Sequence, residues 1–129
     1  MRIYITKWVA RFARREKIRD SDLAEAVRRA GLGLIDADLG GGIIKQRVAR
    51  AGQGRSGGYR LLLAYREGHR AVFLYGFAKS ERENVTEDEL QTLREIGAAW
   101  LAADPPQLAR AMKANALQEI RDGDEEASP

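Results

Sequence analysis

The sequence predicts an α+β fold in which helices pack against a curved antiparallel β-sheet. Apolar residues recur at helical spacing between residues 23 and 34, which is typical of an amphipathic helix. Residues 59–66 are rich in Tyr and Leu and predict a strand, and a short turn at 67–69 leads into a second strand at 70–77. Helices followed by a hairpin favour an α+β domain over alternating β-α units.

The N-terminal third is predicted to form one strand and two helices. Arg2–Ile5 is the strand, and Thr6 can cap a helix from Lys7 to Lys17. Asp20 is predicted to cap a second helix, whose apolar positions follow the i, i+3, i+4, i+7 pattern. Those positions are Leu23, Ala26, Val27, Ala30 and Leu34.

Three glycines at 40–42 mark a break between these helices and the sheet. Predicted strands then run over Ile43–Arg50, Tyr59–Arg66 and Arg70–Phe77. The segment 49–58 contains four glycines, so we expect a loop between the first two of these strands.

Two further helices are predicted after the sheet. Thr86 and Glu89 have the spacing of a capping box, so a third helix should begin there and end before Pro105-Pro106. A fourth helix is predicted over residues 106–121. We therefore expect one domain over residues 1–121, followed by an acidic, disordered tail at 122–129.

Alternation along the strands separates an apolar face from a basic one. The apolar set of the central strand is Tyr59, Leu61, Leu63 and Tyr65. Arg60 lies on the opposite face, and Lys45 and Arg47 share a face of the preceding strand. In the last strand the same rule places three aromatic residues together, Phe73, Tyr75 and Phe77. We expect helices to cover the apolar face and the basic face to stay open for a ligand.

The basic residues are concentrated in the first two thirds of the chain. Residues 1–79 hold 17 Lys and Arg against 7 Asp and Glu, whereas residues 80–129 hold 5 against 12. The net charge of +3 therefore hides a strongly positive segment and a negative one. Such asymmetry indicates a surface that binds a polyanion.

The composition excludes several kinds of site. The chain has no cysteine and a single histidine, His69, which excludes thiol chemistry and argues against a zinc site. We expect no metal and no cofactor. The N-terminus lacks the apolar core of a signal peptide, and no apolar run is long enough to span a membrane. We therefore expect a cytoplasmic protein that does not bind membranes.

A group of lysines and arginines without histidine or cysteine suits phosphate chemistry. Such side chains bind phosphate and stabilise the charge of a phosphorane. RNA supplies its own nucleophile, the 2′-hydroxyl, so a protein needs only to align it, neutralise charge and move a proton. A lysine crowded by arginines should have a lowered pKa, which makes Lys45 or Lys79 a candidate for the acid–base step.

Three stretches of the sequence resemble the RelE/HigB toxins of type II toxin–antitoxin systems. They are KQRVAR at 45–50, GQGRSGGYR at 52–60 and FLYGFAKSEREN at 73–84. The likeness covers roughly residues 1–103, and it is specific because it combines glycines, basic residues and spacing over some thirty positions.

The resemblance implies a microbial RNase-like fold and ribosome-dependent cleavage of mRNA. The 2′-hydroxyl would attack the neighbouring phosphate and leave a 2′,3′-cyclic phosphate. The resemblance also implies a cognate antitoxin as partner, which we expect to be a helix-turn-helix protein. The catalytic candidates are Arg60, Lys79, Lys45 and Arg55, and the RNA-binding candidates are Arg47, Arg50, Arg66 and Arg82.

Two other functions stay open at this point. Ser80 and Thr86 stand where members of the family carry an arginine and a base-stacking tyrosine. The chain could therefore be a toxin that binds the ribosome without cleaving RNA. A gyrase inhibitor of the related ParE type is the other alternative, although gyrase inhibition does not require basic residues to converge on one face.

Overall fold

Four helices and six strands make up the computed structural model, which describes residues 1–50, 52 and 54–121. In chain order they are β1 (Arg2–Thr6), α1 (Lys7–Glu16), α2 (Asp20–Gly31), β2 (Ala37–Gly40), β3 (Ile43–Arg50), β4 (Gly54–Arg66), β5 (Arg70–Ala78), α3 (Glu87–Ala102), α4 (Pro105–Lys113) and β6 (Leu117–Ile120). The sheet order is β2-β3-β4-β5-β1-β6, and every pair is antiparallel except β1 with β5. The predicted α+β fold is confirmed.

Helices cover both faces of the sheet, so the prediction of one open face was wrong for most of its length. One core lies under α1 and α2 and includes Leu61 and Leu63. A second core lies under α3 and α4 and includes Leu62 and Ala64. All four residues are fully buried, and an uninterrupted apolar run of this kind is typical of a strand covered on both sides.

A β-bulge in β5 places Phe73 on a different face of the sheet from Tyr75 and Phe77. Leu62 pairs with Tyr75 and Leu63 pairs with Phe73, so one residue between them is extra. Phe73 therefore joins the core under α1 and α2, while Tyr75 packs against the second core. The expectation that these aromatic residues share a face was wrong, because a bulge shifts the alternation by one residue.

Both ends of α2 differ from the prediction. Arg19, not Asp20, is the N-cap of α2, and its backbone N–H donates to the Asp22 carboxylate at 2.9 Å. The same helix ends at Gly31, so Leu34 lies outside it and is exposed.

The C-terminal part of the predicted fourth helix is a strand. The helix α4 ends at Lys113, and Asn115 then takes a left-handed conformation with φ of 61°. Leu117 and Ile120 are buried as β6 pairs with β1. Burial of these two residues therefore outweighs the helical periodicity that predicted a helix to residue 121.

Other predictions on the secondary structure are confirmed or extended. Thr6 caps α1 through Val9 N–H at 3.3 Å, and Thr86 caps α3 through Glu89 N–H at 3.1 Å. The strand β4 begins at Gly54, inside the predicted loop, and β2 was not predicted. The predicted tail at 122–129 lies outside the described residues. In the part of the chain that the structure describes, no helix is both long and apolar enough to cross a bilayer.

Gly58→Ala should destabilise the fold. A Cβ at this position would clash with the Val48 carbonyl oxygen and would lie 2.8 Å from the Arg50 nitrogen. Both are backbone atoms of β3, which cannot move without loss of strand pairing, so we expect a cost of about 1–3 kcal/mol. Urea unfolding measures this loss in the free energy of unfolding. Gly31→Ala is the control, because a Cβ at Gly31 would lie no closer than 3.9 Å to any neighbouring atom. Equal stability of the two variants would contradict this prediction.

Candidate functional site

Four basic residues, Lys45, Arg47, Arg60 and Lys79, form what we call the cationic cluster. Arg47 on β3 pairs directly with Arg60 on β4, and Lys45 lies two residues before Arg47 on the same face. Lys79 follows β5, and its backbone N–H donates to the Gly58 carbonyl at 3.0 Å. Gly58 lies two residues before Arg60 on β4. The antiparallel pairing of three consecutive segments therefore places all four on one end of the sheet.

Arg60 is the buried centre of this cluster. Its side chain lies on the predicted face, but the residue is only 6% exposed, so the expectation that it faces solvent was wrong. Its guanidinium donates to the Arg55 carbonyl at 3.2 Å and to the Tyr59 carbonyl at 3.4 Å. Burial, and secondly the charge of Arg47, lower the pKa of Arg60, while Asp36 acts in the opposite direction. These hydrogen bonds hold the planar guanidinium in a set direction.

Lys45 has the electrostatic setting of an acid–base group. It is half-buried, and its Nζ lies 3.4 Å from the Asn84 Oδ1. Burial lowers the pKa of Lys45, and the charges of Arg60, Arg47 and Lys79 lower it further. The neutral amine is therefore populated at a lower pH than in an ordinary lysine, and a neutral amine can accept a proton.

A buried polar network holds β3 in place beneath the cluster. Gln46 is fully buried, and its Oε1 accepts from the Asp36 N–H at 2.8 Å. The Asp36 carboxylate accepts from the Arg47 N–H at 2.7 Å and from the buried Arg29 at 3.3 Å. Arg29 also donates to the Arg47 carbonyl. We did not predict these residues from the sequence, although a glutamine inside an apolar strand is a signal of such a network.

Arg82 is engaged in an ion pair at the rim of the cluster. Its guanidinium lies 2.7 Å from the Glu89 carboxylate, donates to the Tyr75 hydroxyl at 3.3 Å and stacks over the Phe77 ring at 5.6 Å. It also donates to the Asn84 carbonyl at 2.9 Å. The arginine that we predicted to bind RNA thus holds the segment between β5 and α3, including Asn84, against the sheet.

Glu89→Gln should lower the melting temperature at neutral pH. The hydrogen bond from Arg82, followed by that of the Thr86 backbone, lowers the pKa of Glu89 to about 2 from its usual 4.5. A lowered carboxylate pKa stabilises the folded state above pH 4.5, and this contribution is lost as the pH falls towards 2. The difference in melting temperature between the wild type and Glu89→Gln should therefore shrink between pH 5 and pH 2.

Glu95→Gln on the same helix serves as the control, because it removes a carboxylate that makes no ion pair with another described residue. A Glu89→Gln deficit that is independent of pH would show that the ion pair is not its cause.

Three other predicted residues have side chains that are not part of the cationic cluster. Arg55 turns towards α2, where its guanidinium lies 3.8 Å from the Glu25 carboxylate, and only its carbonyl contacts Arg60. Arg50 stacks over the Tyr59 ring on the opposite face of the sheet. Arg66 lies at the far end of β4, six residues from Arg60 and so about 20 Å away. The structure does not bring these three side chains together with Lys45 and Arg60.

Comparison with known proteins identifies a family for this chain. A family model described as the RelE toxin of the RelE/RelB toxin–antitoxin system matches residues 1–120. That range contains every helix and strand of the fold and the whole cationic cluster. Among curated proteins, none matches the chain.

Proposed function

This chain belongs to the RelE toxin family, and we propose that it is an endoribonuclease that cuts mRNA on the ribosome and so inhibits translation. The observation that carries the proposal is the cationic cluster, in which a lysine of lowered pKa lies beside a buried arginine. The family implies an antitoxin partner, and we expect a helix-turn-helix protein. Action on the ribosome would place the protein in the cytoplasm.

The proposed reaction needs no group beyond these side chains and the RNA. Neutral Lys45 takes the proton of the 2′-hydroxyl, and the 2′-oxygen forms a bond to the adjacent phosphorus. Arg60 and Arg47 hold the phosphate oxygens as charge builds on the phosphorane. The bond from phosphorus to the 5′-oxygen then breaks, and that oxygen takes a proton from Lys79. The products are a 2′,3′-cyclic phosphate and a 5′-hydroxyl.

One observation favours a second candidate, a toxin that binds the ribosome without cleaving RNA. The Thr86 hydroxyl is used as the cap of α3, and a threonine offers no aromatic ring on which a base could stack. In this second candidate the cationic cluster would bind phosphates without turnover.

Primer extension on a translated message after induction of the protein separates the two candidates. Cleavage predicts discrete new 5′ ends within codons of translated mRNA and none in the same message without a start codon. Binding alone predicts arrested translation with intact mRNA. If growth and translation are both unaffected in cells that lack the antitoxin, the proposed function is wrong.

A further inference from the structure

Three large apolar side chains lie exposed in the segment that joins α2 to β2. Leu32 is 77% exposed, Leu34 58% and Ile35 38%, and we call these three residues the apolar patch. Single exposed apolar residues are common on protein surfaces, but a contiguous group of large ones marks an interaction site more often than chance.

The backbone of the apolar patch is fixed rather than loosely attached. The buried Gln46 donates to the Leu34 carbonyl at 3.2 Å and accepts from the Asp36 N–H at 2.8 Å. The Leu34 N–H donates to the Arg29 carbonyl at 2.8 Å. Because these bonds hold the segment on both sides of Ile35, its apolar side chains are presented to solvent in a defined arrangement, which lowers the entropic cost of binding a partner.

Positive charge borders the apolar patch on the side of the cationic cluster. Leu34 and Ile35 line an open groove of about 600 Å³ together with Arg29, Arg47, Arg55 and Asp36. The Asp36 carboxylate already accepts hydrogen bonds from the Arg29 guanidinium and the Arg47 N–H. The Arg55 side chain is 54% exposed, and its nearest carboxylate, that of Glu25, is 3.8 Å away and itself 44% exposed. Arg29 is buried and paired with Glu25 and Asp36, so the exposed cations of the groove are Arg47 and Arg55. Together with the apolar contact area, they suit a segment that carries both apolar and acidic side chains.

We propose that the apolar patch and its groove dock the antitoxin, through an acidic segment that carries at least two large apolar side chains. Arg47 belongs both to this groove and to the cationic cluster. A segment bound here covers Arg47 and competes with RNA phosphate for it. Binding of the antitoxin at this groove would therefore inhibit RNA cleavage by the toxin. This inhibition, unlike the docking itself, rests on the proposed function.

The test is the affinity of the purified chain for the protein encoded by the adjacent gene of its module, measured by calorimetry. Leu32→Asp and the double variant Leu32→Asp/Leu34→Asp place negative charge in the patch without touching either core. Loss of two central apolar anchors should weaken binding about 30-fold or more for the double variant. Ile96→Asp is the control, since Ile96 is 42% exposed on α3, and its affinity should stay within about twofold of the wild type.

Arg55→Gln tests the charge. It should weaken binding and reduce its dependence on salt, because one exposed cation is removed from the groove. Thermal unfolding shows whether the variants fold. Leu32→Asp is the variant least expected to disturb folding, because Leu32 is the most exposed of the three residues.

Unchanged affinity of both patch variants overturns the proposal. So does a result in which they alter only the oligomeric mass of the chain alone or its association with ribosomes, since the patch then serves another partner. The affinity measurement does not depend on RNA cleavage. If the wild-type chain does not cut mRNA, but the patch variants bind the antitoxin more weakly as expected, the proposed function is refuted and the docking site is still supported.

Discussion

Arg60→Ala should lower the rate of mRNA cleavage by about a hundredfold, the usual effect of losing one donor to a transition-state oxyanion. A guanidinium can hold two phosphate oxygens at once. Arg60 is fixed by hydrogen bonds to the Arg55 and Tyr59 carbonyls, so it does not have to reorganise as charge develops. Single-turnover cleavage on programmed ribosomes measures the effect directly.

The same substitution should also cost stability, because Arg60 is buried. Its removal deletes hydrogen bonds from a charged donor to the Arg55 and Tyr59 carbonyls, and we expect a loss of about 1–3 kcal/mol. Arg70→Ala is the matched control. Arg70 is also buried and donates to the Trp100 and Ala103 carbonyls at 2.8 and 2.9 Å, but it lies at the opposite end of β5.

The two variants together separate catalysis from folding. Arg70→Ala should lose comparable stability and keep its cleavage rate per folded molecule. If both variants lose activity only in proportion to the unfolded fraction, Arg60 is structural and the proposed site is wrong.

The sequence predicted the cluster because it depends on local pairing. The alternation along β4 places Arg60 on the face opposite to Tyr59. The antiparallel register of β3 and β4 then places Arg47 directly beside Arg60. Such relations follow from period-two geometry and short connections, which sequence patterns carry well. Arg50 and Arg55 were predicted from their place in a glycine-rich loop and, for Arg55, from the resemblance to the toxin family. Neither argument specifies the direction in which a side chain points.

The structural features that depend on tertiary packing were not predicted from the sequence. The bulge beside Leu62 is a property of two strands together and is invisible in either one. Residues 117–120 have an apolar spacing that suits a helix, yet Leu117 and Ile120 are buried as part of β6, because the free edge of β1 accepts their backbone hydrogen bonds. The consecutive apolar residues from Leu61 to Ala64 did indicate a strand that is buried on both faces. The prediction missed this because it assigned alternate residues to an apolar face and an open face.

Lys45→Arg should lower the cleavage rate by about 10² to 10⁴, the usual contribution of a general base. The substitution keeps the positive charge, but arginine stays protonated at any ordinary pH and cannot accept a proton. Lys45→Gln should be equally slow. Lys113→Arg is the control, because Lys113 is an exposed lysine on α4.

The pH profile distinguishes a proton acceptor from a phosphate-binding charge. Burial and the neighbouring cations lower the pKa of Lys45, so the wild-type rate should rise with pH and level off below the pKa of an ordinary lysine, as the amine loses its proton. Both Lys45 variants should lose this rise, since neither side chain titrates in the range. A Lys45→Arg variant that cleaves at the wild-type rate, with the wild-type pH profile, would show that Lys45 contributes only charge. The base would then have to be sought in another residue of the cluster or in the ribosome.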